Sequence, residues 1–236
     1  MTTQQSRPWF TRAAIGLVVS GVLLIPGGMT TVAAQEATPG ILGTAVATEC
    51  KTDLGTSEVP DGATGYTVDS EKSEARYKVE EELAGQGTNE AVGTTNAVIG
   101  TILIDKDGKP LPCSRFDVDL RTLQTDEAKR DARVQEALDT SEYPVATFIV
   151  TDVQPASDLK DGEAVDVTLI GNLELHGVSQ QVSWTGTVTK DGDSISGTAT
   201  TTVSFDAYDI TKPVIGPVMS IDDTLTLEID LVANAA

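Results

Sequence analysis

Residues 165–188 read VDVTLIGNLELHGVSQQVSWTGTV, and their spacing decides the fold class. Val165, Val167, Leu169, Gly171, Leu173 and Leu175 recur every second residue, against Asp166, Thr168, Asn172, Glu174 and His176, with Ile170 the one apolar intruder. After a break at His176-Gly177, Val182, Trp184, Gly186 and Val188 alternate with Gln181, Ser183, Thr185 and Thr187. A helix cannot use a period of two, because residues i and i+2 do not share a helical face. Two half-buried antiparallel strands joined by a tight turn satisfy the pattern. The first spans roughly 36 Å at ~3.3 Å per residue, against a usual strand of five or six residues. Long strands with one dry face point to a tall barrel or a sandwich.

Working outward, the same alternation returns in Ala75, Tyr77 and Val79, in Phe116, Val118 and Leu120, in residues 146–153, in 195–205 and in Leu225, Leu227, Ile229 and Leu231. Tyr66-Thr67-Val68 is a short strand, and 94–105 reads as one strand with apolar residues on both faces. Residues 85–93 read as a loop. Thr125-Asp126-Glu127 has the hydroxyl and acids of a helix start, with Ala128, Val134, Ala137 and Leu138 facing inward and an end near Asp139. About eight strands and one short helix, without strand–helix alternation, give an all-β fold. An antiparallel meander closing on itself removes the exposed edges.

The chain has 236 residues, 36 Asp and Glu against 16 Lys and Arg, and only 4% aromatics. The core must therefore be mostly aliphatic, and a formal charge of −20 disfavours nucleic acid and anionic lipid surfaces as partners. Residues 1–34 form a separate segment. Arg7 and Arg12 precede an apolar run over 13–25, with Val32-Ala33-Ala34 supplying small residues for cleavage. The segment reads as a signal peptide or, if uncleaved, an N-terminal membrane anchor tethering the chain through 13–25. Either way the protein is secreted or held in the cell envelope. Residues 35–64, rich in Gly, Thr, Ala, Pro and Ser, read as a flexible linker, part of which is tied down against the domain if Cys50 bonds Cys113, and the barrel domain occupies 65–234. In an oxidising compartment Cys50 and Cys113, the only cysteines, favour a disulfide over two separate thiols.

Chemistry is sparse. His176 is the only histidine, and its place before Gly177 suits a turn residue better than a base or metal ligand. Asp105-Lys-Asp-Gly108 begins like a calcium loop, but Pro110, Leu111 and Pro112 follow with no closing acid, so a turn is the expectation. No nucleophile–base set, cofactor motif or metal site can be assembled, which argues against an enzyme. Arg130 and Arg133 pair with helix acids or meet an anionic ligand head group at the barrel mouth. The apolar face is either packed core or the wall of an open lumen, with Gly100, Gly171, Gly186 and Gly197 relieving crowding or leaving space.

Several motifs occur in order: Tyr66-Thr-Val-Asp69, Ser73-Glu-Ala-Arg-Tyr77, Gly100-Thr-Ile-Leu-Ile-Asp105, Lys129-Arg-Asp131 with Tyr143-Pro-Val-Ala-Thr-Phe148, Gly171-Asn-Leu-Glu-Leu-His-Gly-Val178 and Asp222-Asp-Thr-Leu-Thr-Leu-Glu-Ile229. Together they resemble the YceI-like, polyisoprenoid-binding family over roughly 65–233. The resemblance implies an extended, lipocalin-like eight-stranded antiparallel barrel holding an isoprenoid or other long-chain lipid, with no active site to carry over. On that basis Phe148, Leu169, Leu173, Leu175, Trp184, Val203, Phe205, Leu227 and Ile229 are the candidate lumen residues, and Arg130 and Arg133 the candidate head-group contacts. The rival reading is a structural or adhesive envelope domain with a filled core.

Overall fold

The computed structural model describes residues 49–236 except 156, 214, 215 and 217; the leader or anchor over 1–34 and the linker as far as residue 48 lie outside the described residues. In chain order the strands are β1 (Thr52–Asp53), β2 (Thr56–Ser57), β3 (Ala63–Val68), β4 (Glu74–Leu83), β5 (Gly87–Thr95), β6 (Val98–Asp105) and β7 (Arg115–Asp119). Helix α1 (Ala128–Ala137) follows, then β8 (Val145–Gln154), β9 (Ala164–Leu175), β10 (Val178–Asp191), β11 (Ser194–Ser204), β12 (Val218–Ile221) and β13 (Thr224–Ala235). Among the described residues no helix is long and apolar enough to cross a membrane.

The β9–β10 hairpin is the longest ladder, with Leu175 opposite Val178, Leu169 opposite Trp184 and Val165 opposite Val188. His176 and Gly177 form its two-residue turn with φ of 54° and 72°. That left-handed pair matches the twist of the flanking strands. The histidine is held there as a structural residue. Its Nδ1 lies 2.9 Å from the Tyr208 carbonyl oxygen, and the Tyr143 ring meets its edge at 5.3 Å.

Strands β6 to β11 pair consecutively and antiparallel. β13 then runs the length of β11, from Ser194 opposite Asn234 to Ser204 opposite Thr224. The C-terminal end of β13 pairs with β3, and β3 pairs with β6. These contacts close a barrel of eight strands, so the all-β, eight-stranded antiparallel expectation with one short helix holds. The N-terminal half of β13 instead pairs with β4, which carries β5 on its other edge. One rim of the wall is thereby extended beyond the ring.

Four local expectations are corrected. Residues 87–95 form β5 and not a loop. The segment lacks an apolar alternation because its inward positions are small: a Cβ on Gly93 would lie 2.3 Å from the Tyr77 ring that covers it. The single strand expected over 94–105 is broken at Asn96-Ala97, where Asn96 Nδ2 donates to the Ser73 carbonyl at 2.7 Å. Its apolar residues on two faces have a different cause. Ile102 and Ile104 face the interior, whereas Leu103 is fully buried on the outside of the wall. Third, Ala128 is exposed, while Val134, Ala137 and Leu138 do face inward. The cap of α1 is the Glu127 carboxylate, and Thr125 donates to Asp131 Oδ1 at 2.6 Å.

The fourth correction concerns the stretch before β3. Its described part is tied down, as the Cys50–Cys113 bond implies, but it forms a hairpin, β1–β2, in place of an unstructured linker. Cys50 is bonded to Cys113, with Cα atoms 5.3 Å apart. The Gly55 amide donates to Asp117 Oδ2 at 2.6 Å, Thr101 Oγ1 donates to the Gly55 carbonyl at 3.2 Å, and Ser57 Oγ donates to the Cys113 carbonyl at 2.7 Å. Asp117, 1% exposed, also holds Arg115 Nε at 2.7 Å and Thr147 Oγ1 at 2.6 Å. A buried carboxylate persists only when paired and fully hydrogen-bonded, and this one is. The outer surface of β6 and β7 is thus a docking bed for the hairpin.

The Asp105-Lys-Asp-Gly108 segment is a turn, with Asp105 Oδ1 accepting from the amides of Asp107 and Lys109 at 2.8 and 2.9 Å. On the outer face, Glu228 accepts from Lys78 at 2.8 Å and from Arg76 at 3.1 Å. These bonds, Lys78's first, hold the Glu228 carboxyl below its usual range. A depressed folded-state pKa stabilises above the unfolded value and is lost as pH falls through the folded one. Urea midpoints of the wild type are therefore expected to drop more steeply than those of Glu228→Gln below about pH 4. Parallel pH profiles of the two would refute this.

Candidate functional site

The barrel is not filled. A cavity of about 240 Å³ runs inside it, lined by residues from Val153, Val167 and Ile104 at one end to α1 and Ile221 at the other. For scale, an engineered apolar cavity of ~150 Å³ stays dry and takes up benzene. A void this size forgoes packing that a core of these residues would otherwise gain, which makes a resident apolar guest the natural way to recover it.

The wall follows from strand alternation. Phe148 lines the cavity from β8; Leu169, Leu173 and Leu175 from β9; Trp184 from β10; Phe205 from just beyond β11; Leu227 and Ile229 from β13. Val203 is the exception among the nine candidates. It is buried in the core but does not reach the void, which its cross-strand partner Leu225 and its neighbour Phe205 line instead. A short β-branched side chain between two longer ones is covered by them. Phe116, Phe148 and Trp184 form an aromatic girdle, with ring centroids 6.5 and 5.8 Å apart along the series. Room for the Phe148 ring comes from Gly171, where a Cβ would lie 2.7 Å from it.

At the α1 end the wall becomes polar. Arg130 lines the cavity with its side chain 11% exposed. Its Nη2 donates to Glu81 Oε1 at 3.0 Å, and its Nη1 is bonded to Asp126. Glu81 is 1% exposed at the side chain and accepts a second bond from Asn89 Nδ2 at 2.9 Å. Arg133 does not join this cluster. It lies on the outer face of α1, half exposed, and pairs with Glu136 at 2.7 Å, so the helix brings only one of the two candidate arginines to the lumen. Arg130, Val134, Ala137 and Leu138, at i, i+4, i+7 and i+8, form the stripe of α1 that fronts the barrel, and Arg133 falls at its side.

Three buried polar atoms on this wall have no partner: Arg130 Nε, the Tyr77 hydroxyl and Trp184 Nε1. Burial pushes the Tyr77 phenol up to about 12, so it stays protonated. Sequence reasoning passed over Tyr77 and Glu81 as site residues. The signal was present, because Ala75, Tyr77, Val79 and Glu81 continue one inward parity. A carboxylate on that parity marks a buried charge in search of a cation. Its partner lies 49 residues away and could not be read from spacing.

The YceI-like domain family model matches residues 66–233. A UPF0312 protein of Pseudomonas putida is 31% identical over 173 residues, covering 68% of this chain and 85% of that protein. Protein YceI of Escherichia coli O157:H7 is 29% identical over 133 residues, covering 56% and 65% respectively. Among solved structures, a polyisoprenoid binding domain from Saccharophagus degradans, implicated in plant cell wall breakdown, superposes with a TM-score of 0.55 at 17% identity, covering 73% of this chain and 99% of that one. Burkholderia cenocepacia BcnA does so at 0.56 and 18%, covering 71% and 99%. At these identities the structural matches speak to the fold alone. The shared barrel, the relatives and the family match over most of the sequence together show that the chain belongs to the YceI-like family.

Proposed function

We propose that this protein is an exported carrier or store for a long apolar lipid, an isoprenoid or similar chain, which it holds in the barrel lumen without chemical conversion. The observation that carries this reading is the apolar cavity threading a closed barrel whose strands could have packed solid. A relative of the same fold is described as a polyisoprenoid binding domain, which suits the reading. Affinity would come from burying the tail at about 25 cal/mol per Å² removed from water, less the cost of ordering a flexible chain. Export, through cleavage or anchoring of residues 1–34, is supported by the basic-then-apolar pattern of that segment and by the Cys50–Cys113 bridge.

Native mass spectrometry of the purified chain, followed by organic extraction, tests this. A stoichiometric apolar adduct is expected, or, from protein stripped during purification, uptake from an offered series of isoprenoids and fatty acids. A bare mass together with no uptake from the whole series would overturn the carrier reading in favour of a purely structural domain.

A further inference from the structure

The polar end of the lumen has a charge balance that constrains what can sit there. Arg130 is the cation bonded at this end, and two carboxylates, Glu81 and Asp126, already occupy its two terminal nitrogens. What remains unclaimed is hydrogen-bonding capacity without net positive charge: the Arg130 Nε–H and the Tyr77 hydroxyl. Leaving such buried groups unmade is costly, so they fit an acceptor brought by the occupant. An arriving phosphate or carboxylate would instead meet an arginine whose charge is already matched by the buried Glu81 and by Asp126, with no net positive charge left to hold it.

Resting on the lipid-binding reading above, we infer that Tyr77 and Arg130 form a head-group site for a neutral, acceptor-bearing lipid such as a prenyl alcohol, ester or carbonyl compound, and that the site rejects anionic heads. The polarity is the reverse of the anionic head group that Arg130 suggests in the bare sequence. Tyr77 supplies a donor that does not ionise at any physiological pH, and Glu81 fixes the guanidinium, whose buried Nε–H is the second unclaimed donor. Gly93 is part of the same device, since any side chain there would displace the Tyr77 ring.

The test uses the full chain, delipidated, in competition with a lipophilic fluorophore against three probes: geranylgeraniol, geranylgeranyl diphosphate and squalene. The alcohol is expected to bind at least about tenfold tighter than the diphosphate. Tyr77→Phe should weaken the alcohol about three- to tenfold and leave squalene, which has no head, unchanged. Asp126→Asn, at a side chain 83% exposed and therefore safe for folding, should narrow the gap between alcohol and diphosphate. The inference is overturned if the diphosphate binds as tightly as the alcohol, or if Tyr77→Phe weakens squalene as much as the alcohol. In that case squalene binding would still leave the lumen as a lipid site. Failure of all three probes would instead remove the lipid-binding reading itself, and the head-group site with it.

Discussion

Removing the Cys50–Cys113 bridge is expected to lower the unfolding free energy by about 4 kcal/mol, the chain-entropy value for a closed loop of this length. The cysteines are 63 residues apart, and the loop between them contains β1 to β6. With the bridge intact, the unfolded chain cannot separate the hairpin from β7, so much of the entropy gained on unfolding is forfeited. The native contacts do not depend on the bond in the same way. Gly55, Thr101, Ser57 and Asp117 would still make their hydrogen bonds in a Cys50→Ser/Cys113→Ser variant. Those bonds would have to order residues 49–59 unaided, at an entropic cost of about 1–2 kcal/mol per residue. Urea unfolding of the double variant against the oxidised wild type measures the difference. A loss below about 1 kcal/mol would mean that the bridge restricts the unfolded chain far less than the loop-closure account requires. Since a domain is stable by only about 5–15 kcal/mol in all, the predicted loss is a large share of the total.

The second large effect is steric. Gly186→Val is expected to destabilise by at least about 3 kcal/mol, the upper end of ordinary overpacking. A Cβ built on Gly186 would lie 1.9 Å from the Thr198 carbonyl oxygen and 2.7 Å from the Ala199 Cα. Both are backbone atoms of the partner strand, so no rotamer change can relieve the clash. Gly186 is the register partner of Ala199, and β11 is also the strand that β13 meets to close the ring. Pushing β11 away from β10 therefore strains closure as well as one pair. Gly192→Ala is the control. It has nothing within 4 Å but a φ of +57°, so it should cost only the ~1 kcal/mol of a left-handed backbone carrying a side chain. Chemical denaturation of the two variants side by side separates crowding from conformational strain. Equal losses would show that the close approach at Gly186 is not rigid.

Glycine illustrates how sequence and structure divide the information. The in-strand glycines are visible in the sequence as places where crowding is relieved or space is left. Which of these applies depends on a neighbour. Gly100, Gly171 and Gly186 each lie against the backbone of an adjacent strand, at 2.4, 2.3 and 1.9 Å from a carbonyl oxygen for an added Cβ. They let the wall coil tightly and do not themselves create the lumen.

The strands, their inward faces and the β9–β10 hairpin were legible because each depends on residues close together in the chain. Period two decides which side chains share a face, and His176-Gly177 decides where the chain reverses. From that local code come the barrel class and eight of the nine lumen residues that the structure places on the cavity wall. β5 escaped because a strand that packs Gly and Ala under a tyrosine ring has no hydrophobic period to detect. The hairpin before β3 escaped because its order is supplied by Asp117 and Cys113 on another element. The Glu81–Arg130 pair, the unpartnered Tyr77 hydroxyl and the void itself were decided only by tertiary structure. A cavity is the distance left between walls, and a buried ion pair is a meeting of residues far apart in sequence. Neither is a property of any segment taken alone.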